Sequence, residues 1–225
     1  MTSSRDRILG RLRAAQPQPF ARPDPRADDP GAAHAAWEAR QPPISGDLGQ
    51  RFAEAQRAVG SSVVFAPSWD KLPGAVTPCI GVYAIRSAIT GREPRLELLR
   101  KRLADQGVAV GRYERPVEEQ RADLFGTDLG ITTSAAAVAE TGSIVLIPSP
   151  EEPRLLSLAV PIHLAIVERA TIVPTLADFL RTGTYQRRLP TNLVFVSAAS
   201  RTADIELTLA MGVHGPKTLL VAVVG

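Results

Sequence analysis

Residues 192–224 read NLVFVSAASRTADIELTLAMGVHGPKTLLVAVV, and the fold class follows from how this stretch is parsed. Its closing run, Leu219 to Val224, is apolar without interruption, the pattern of a strand buried on both faces of a parallel sheet. Its opening run, Leu193 to Val196, has strand length and β-branched character. Between them stand a loop of small residues, Ser197-Ala198-Ala199-Ser200, and then Arg201-Thr202-Ala203-Asp204. The latter reads as the first turn of a helix that ends near Met211 and stops at Gly212. Strand, tight loop and helix N-terminus is the arrangement by which open α/β sheets hold anions. Arg201 adds a planar, permanently charged fork suited to a carboxylate or phosphate. The same residues also read as plain local structure, with Ser200 as a cap, Asp204 complementing the dipole and Arg201 pairing with a surface acid.

Upstream, from residue 47, strand and helix signals alternate. Leu48, Phe52, Ala55 and Val59 fall at helical spacing before Gly60. Ser61 to Ala66 reads as a strand, and a proline-containing loop with Trp69 leads to an apolar run around Ile80 and Val82. Arg95 to Gln106 is an amphipathic helix with Leu96, Leu99 and Leu103 inward, and Val108 to Val110 a strand. The alanine-rich run Ser134 to Ala139 reads as a slim helix. Glu140-Thr141-Gly142 turns the chain into a strand, Ser143 to Ile147. The loop Pro148-Ser149-Pro150-Glu151-Glu152-Pro153 follows. His163 to Val167 and Thr171 to Val173 are apolar runs, Leu176 to Arg181 a helix and Gly183 to Pro190 a polar loop. This alternation predicts an α/β fold, a mostly parallel sheet with helices on both faces. No internal repeat and no dinucleotide or P-loop glycine pattern is present.

The first 46 residues read differently. Ser3 and Ser4 can cap a short helix, Arg5 to Ala15, with Ile8, Leu9 and Leu12 on one face. At this length it needs a surface to dock on. Pro17, Pro19, Pro23, Pro25 and Pro30 make an extended linker. Ala32 to Arg40 reads equally as a helical turn or two or as coil. The expected organisation is thus an N-terminal helix and linker, 1–46, and an α/β domain, 47–225.

Composition excludes several function classes. The 225 residues suffice for one α/β domain with a full core. A net charge of +3, with both signs interspersed, does not point to nucleic acid. Among 26 basic residues only Lys71, Lys101 and Lys217 are lysine, an arginine excess read first as codon bias. The single cysteine, Cys79, excludes an internal disulfide framework and a four-thiolate iron–sulfur cluster in this sequence. It sits in Cys79-Ile80-Gly81-Val82-Tyr83, so a buried, inert thiol is expected. No run is long enough to span a bilayer, and the arginines near the N-terminus precede no apolar core. A cytoplasmic protein is the default expectation.

Three segments together resemble the lactate-utilisation protein C (LutC) family within the LUD-domain group. They are Gly130-Ile131-Thr132 through Ala139-Glu140-Thr141-Gly142-Ser143-Ile144-Val145-Leu146; Arg154 with Ser157-Leu158 and Pro161-Ile162-His163-Leu164-Ala165-Ile166-Val167; and Ser200 through Glu206 with Gly212-Val213-His214-Gly215-Pro216. The segment Ser4-Arg5 to Arg13 is similar to the short helix that opens family members. The likeness covers most of residues 120–225. It departs at Ala198-Ala199, where family members often carry Gly-Pro. A methyl replaces hydrogen there, at a place where a ligand would approach the backbone.

The resemblance implies a fold like the NagB/RpiA/CoA-transferase group, with a ligand cleft at strand ends. It implies a role in oxidising L-lactate to pyruvate beside partner proteins that carry iron–sulfur clusters, this chain carrying no cofactor itself. It carries over no catalytic residue. The expected ligand-binding residues are Glu140, Thr141, Gly142, Arg154, Ser200, Arg201, Thr202, Asp204, His214 and Gly215. Glu140 would face an unfavourable helix dipole, which hints at function, or be a solvated acid held by an arginine. Arg154 reads as a second anion clamp or as the partner of Glu151 or Glu152. His214, in a glycine-flanked loop, reads as acid, base, donor or turn residue. His163 reads as a strand histidine satisfied by a backbone carbonyl. The set His163, His214 and Asp204 matches no metal-ligand spacing, so no metal is expected. Two functions stay open. One is an accessory component of a lactate-oxidising complex that binds a small anion. The other is a stand-alone protein or enzyme for sugar phosphates or CoA esters.

Overall fold

In the computed structural model the described residues are 44–182, 190–203, 209–212 and 214–225, with Arg5 and Ile8. The elements, in chain order, are α1 (Leu48–Ala58), β1 (Ser62–Ala66), α2 (Leu72–Val82), β2 (Ser87–Thr90), α3 (Glu97–Asp105) and β3 (Ala109–Arg112). They continue with α4 (Val117–Phe125), β4 (Leu129–Thr133), β5 (Ala136–Val138), β6 (Ser143–Leu146), β7 (Ile162–Glu168), β8 (Ile172–Val173) and α5 (Leu176–Thr182). The last are β9 (Val194–Val196), β10 (Arg201–Ala203), β11 (Leu209–Met211) and β12 (Thr218–Val224). The expected helix over Arg5–Ala15, the proline linker and the Ala32–Arg40 turn lie outside the described residues, apart from Arg5 and Ile8.

Six strands form a sheet in the order β1-β12-β7-β4-β2-β3, and every pairing in it is parallel. β12 lies between β1 and β7, with Val221 opposite both Val63 and Ala165. That position explains its unbroken apolar run, because both of its faces are covered. Alternate side chains serve two cores. Leu220, Ala222 and Val224 join Leu72 and Val76 of α2 and Leu99 and Leu103 of α3. Leu219, Val221 and Val223 join Phe52 of α1 and the strand residues Ala137, Ile144 and Ile172.

The second core is covered partly by helix and partly by a small sheet ordered β8-β5-β6-β9. In it β5 pairs parallel with β8 and antiparallel with β6, and β6 pairs antiparallel with β9. Helix α5 packs on its far side through Phe179, against Ala136, Val138 and Val145. On the same side of the large sheet, α4 seals the β2 end through Leu124, against Ile89 and Leu156.

Three sequence expectations change. The Ser134–Ala139 run holds strand β5, Ala136–Val138, and no helix. Its alanines have high helix propensity, but pairing with β6 and β8 and complete burial of Ala137, Val138 and Ala139 outweigh a local preference of this size. The helix expected from Arg201 to Met211 is replaced by a hairpin, β10 with β11, in which Arg201 faces Met211. Ser200 is therefore no helix cap. Its backbone N–H donates to Pro216 O and its carbonyl accepts from Gly212 N. The apolar residues around Ile80 close helix α2, and Cys79 is half-buried, with burial pushing its thiol pKa up. The methyl of Ala199 packs into the second core.

Candidate functional site at the carboxyl ends of the parallel strands

Ligands in open parallel sheets sit outside the carboxyl ends of the strands. Two depressions formed by the described residues lie at that edge. The outer one, about 520 Å³, lies at the ends of β1, β12 and β7 and is lined by Pro67, Ser68, Trp69, Glu168, Arg169 and Gly225 among others. The inner one lies at the end of β4, between Thr132, Thr133, Leu146 to Pro148, and Glu152 to Arg154 with Ser157. Its enclosed part is about 10 Å³, room for roughly one water-sized atom.

The inner depression exists because the proline-rich loop after β6 folds back across the strand ends. Arg92 N–H donates to Glu151 O at 3.0 Å, and Ser149 N–H to Glu152 O at 3.1 Å. Gly91, just past β2, must lack a side chain, since a Cβ there would stand 2.7 Å from Glu151 O. The loop carries Glu152 inward, where its carboxylate accepts from Thr133 N (2.6 Å) and Thr133 Oγ1 (2.8 Å). Burial raises the Glu152 pKa above its ordinary value, opposed by the Thr133 hydrogen bonds. An ion-pair cluster also lies on this edge. Arg95 bridges Glu93 (2.8 Å) and Glu168 (2.6 Å) and stacks 4.4 Å above the Trp69 ring.

Behind the inner depression, Thr132 Oγ1 meets His163 Nε2 at 2.8 Å. His163 is fully enclosed, and its partner is this hydroxyl, not the backbone carbonyl the sequence suggests. Burial holds its imidazole at about 4, below the ordinary 6.5. The folded protein therefore keeps it neutral where the unfolded chain takes a proton. Between pH 6.5 and about 4 the unfolded state binds more protons, so stability is lost as pH falls through that window. The whole shift is worth on the order of 3 kcal/mol. Glu152 acts in the opposite sense: its contribution is full below 4.5 and lost as pH rises through its raised pKa. Urea midpoints are thus expected to drop between pH 7 and pH 5, and His163→Gln to flatten that drop. An unchanged slope in the variant would locate the proton uptake elsewhere.

The expected ligand-binding residues do not converge. Arg154 lines the inner depression and is exposed; Glu152, one of its suggested partners, turns instead to Thr133. Glu140 and Thr141 are exposed in the β5–β6 turn, and Glu140 follows a strand, so it faces no helix dipole. Thr141 Oγ1 bonds Ser143 Oγ at 2.7 Å, which in turn bonds Ser197 Oγ at 2.7 Å. Gly142, with φ +67°, offers its carbonyl to the buried Gln56 side chain and packs against Ala55. Arg201 does not face a helix N-terminus. It donates to Val59 O (2.6 Å), at the C-terminal end of α1. His214 and Gly215 line a separate cavity of about 320 Å³ with Pro161 and Lys217, at the amino ends of β7 and β12. That is the opposite edge from the one expected for this loop. Thr202 belongs to β10 through its backbone, and Asp204 lies outside the described residues. Among the described residues no cluster of three metal-ligating side chains occurs, and no helix is long and apolar enough to cross a membrane.

Sequence reasoning passed over Glu152, Thr132 and Gln56 as site residues. A signal for Glu152 was present: an acid held within Pro148–Pro153 is on a stiff loop that can be folded back as a unit.

A wholly parallel sheet of this order, with a proline loop strapped across its carboxyl edge, places the molecule among α/β proteins with a strand-end cleft. The LUD domain model matches residues 49–224, and the chain belongs to that family. A lactate utilization protein C of Deinococcus radiodurans is 34% identical over 156 residues, 69% of each chain. Another, of Halalkalibacterium halodurans, is 33% identical over 156 residues, 65% of this chain and 66% of the relative. An uncharacterized protein of Neisseria meningitidis is 33% identical over 127 residues, 56% of this chain and 54% of its own length. The chain thus spans between 54% and 66% of the last two relatives. A crystal structure of a DUF162 family protein from Deinococcus radiodurans aligns with a TM-score of 0.63 at 28% identity, covering 81% of this chain and all of that one.

Proposed function

We propose that this chain is a component of an L-lactate utilisation system, in which L-lactate is oxidised to pyruvate together with iron–sulfur partner proteins. Its own part is to hold a small anionic ligand at the carboxyl edge of the parallel sheet. The observation that carries the reading is the set of lactate utilization protein C relatives, one of them 34% identical over 69% of both chains. The single cysteine supports placing the clusters on partners, because a cluster of the usual kind takes four thiolates. In this reading the system is cytoplasmic, and the N-terminal segment 1–46 serves as a docking arm for the domain at 47–225. Anaerobic affinity purification of the tagged protein from its own cells tests it. Co-purifying iron–sulfur proteins with lactate-dependent dye reduction are expected; a partnerless protein without that activity would remove the reading.

A second reading is favoured by one observation, the outer depression of about 520 Å³. That is the volume range of sites for ligands much larger than lactate. In it the protein acts alone on a sugar phosphate or CoA ester. A dose-dependent melting shift of the purified chain with such compounds supports it, and silence across the panel rejects it.

A further inference from the structure

Thr132 and His163 set the hydrogen-bond character of the inner depression. His163 is completely buried, and its Nδ1 has no partner among the described residues. A neutral imidazole carries one proton. On Nδ1 that proton would leave a buried N–H donor orphaned; on Nε2 it leaves a bare lone pair, the rarer donor fault being avoided. The proton therefore belongs on Nε2, which donates to Thr132 Oγ1 across 2.8 Å. The Thr132 hydroxyl then keeps its own proton for a second bond, and Thr132 lines the cavity.

The neighbouring groups complete a small recognition set. Arg154 lines the mouth and is exposed, so its guanidinium is a permanently charged donor accessible to a ligand there. Ser157, 2% exposed, spends its hydroxyl proton on Arg154 O at 2.9 Å and fixes the turn that carries the arginine. Glu152 accepts two bonds from Thr133 and retains unused lone pairs beside the same cavity. The enclosed part admits about one oxygen atom, with the remainder of a ligand in the mouth between Pro148 and Pro153.

We infer that this cavity binds the oxyanion end of a small carboxylate that carries a neighbouring hydroxyl, with Arg154 and Thr132 donating to the oxyanion and Glu152 accepting from the hydroxyl. The inference deepens the lactate reading and rests on it for the size of the ligand. Two donors and one acid suit a monoanion with a donor beside it. A phosphate dianion would face the Glu152 carboxylate at close range, and a keto group offers that carboxylate no proton.

The test uses the full chain with L-lactate, glycolate, pyruvate and inorganic phosphate as probes, read by melting shift and calorimetric titration. L-lactate and glycolate are expected to bind saturably, with pyruvate and phosphate about tenfold weaker or more. Arg154→Ala, at an exposed position that leaves folding intact, and Thr132→Val are each expected to weaken L-lactate binding about tenfold or more. Wild-type affinity in Arg154→Ala, equal binding of phosphate, or no saturable binding of either hydroxy acid overturns the inference. Growth on L-lactate of cells lacking the gene separates the two claims. A growth defect without binding removes the site and leaves the lactate reading; binding without a growth defect does the reverse.

Discussion

Gly130→Ala is expected to destabilise the protein by about 3 kcal/mol, a fall in melting temperature of roughly 6–12 °C for a domain of this size. Gly130 lies in β4, paired on both sides, with His163 of β7 opposite it and Ile89 of β2 on the other flank. The short helical turn Arg154–Ser157 is seated directly on it. A Cβ at Gly130 would stand 2.0 Å from Leu156 O and 2.8 Å from Val160 Cγ2. The first of those atoms is backbone and cannot rotate away. Relief requires lifting the turn that carries Arg154 and Ser157 off the sheet, so loss of stability and loss of ligand binding are expected together. Gly111→Ala is the control. It is also a strand glycine, but its nearest neighbour would be Ala88 O at 3.8 Å, an ordinary contact. A Gly130→Ala protein that melts with wild type would mean the turn is not seated on β4.

Phe52→Ala is expected to cost about 3–5 kcal/mol, the range for emptying a fully buried aromatic site. Phe52 is 0% exposed. It is the side chain by which α1 reaches β12, β7 and the small sheet at once, among Val221, Val223, Val167, Ile144 and Ile172. Its loss opens a cavity where three elements meet, and none of them can collapse without disturbing a strand register. Leu98→Ala, on the exposed face of α3, is expected to stay within about 0.5 kcal/mol. Chemical denaturation of both variants checks the pair, and a Phe52→Ala midpoint close to that of Leu98→Ala would contradict the assignment of this core.

What could be read from the sequence was whatever a single strand or helix records about its own burial. β12 announced itself because both faces are covered, and α3 with the turn before it because Leu96, Leu99 and Leu103 are all buried. β5 and the β10–β11 hairpin were misread for a common reason. Short strands, β5 in the small side sheet and β10–β11 as a separate pair, are decided by their partners, and Ala136-Ala137 says nothing locally of the strands on either side. β9 is a strand as expected but belongs to that side sheet, with Phe195 41% exposed, not to the parallel one. The site was least legible. Glu152 matters because a loop returns to Thr133, 19 residues earlier in the chain, and Thr132 because His163 lies behind it. Arg154 was named from its motif. Its neighbours could come only from the fold.

The place of β12 in the sheet also has a temporal meaning. β1 is made first among the described strands, yet its one neighbour in the sheet is β12, which follows every other described strand. Until β12 emerges, β1 has an open edge on each side, and β7 lacks the strand that joins it to β1. The pairing that completes the central sheet is therefore the most distant in sequence, the kind that makes folding slow. During synthesis, a half-built sheet with Val63, Val64 and Phe65 uncovered must wait, and such waiting edges are what chaperones shield. Nascent chains halted before Thr218 should engage chaperones and be sensitive to protease, with both behaviours ending once β12 has inserted.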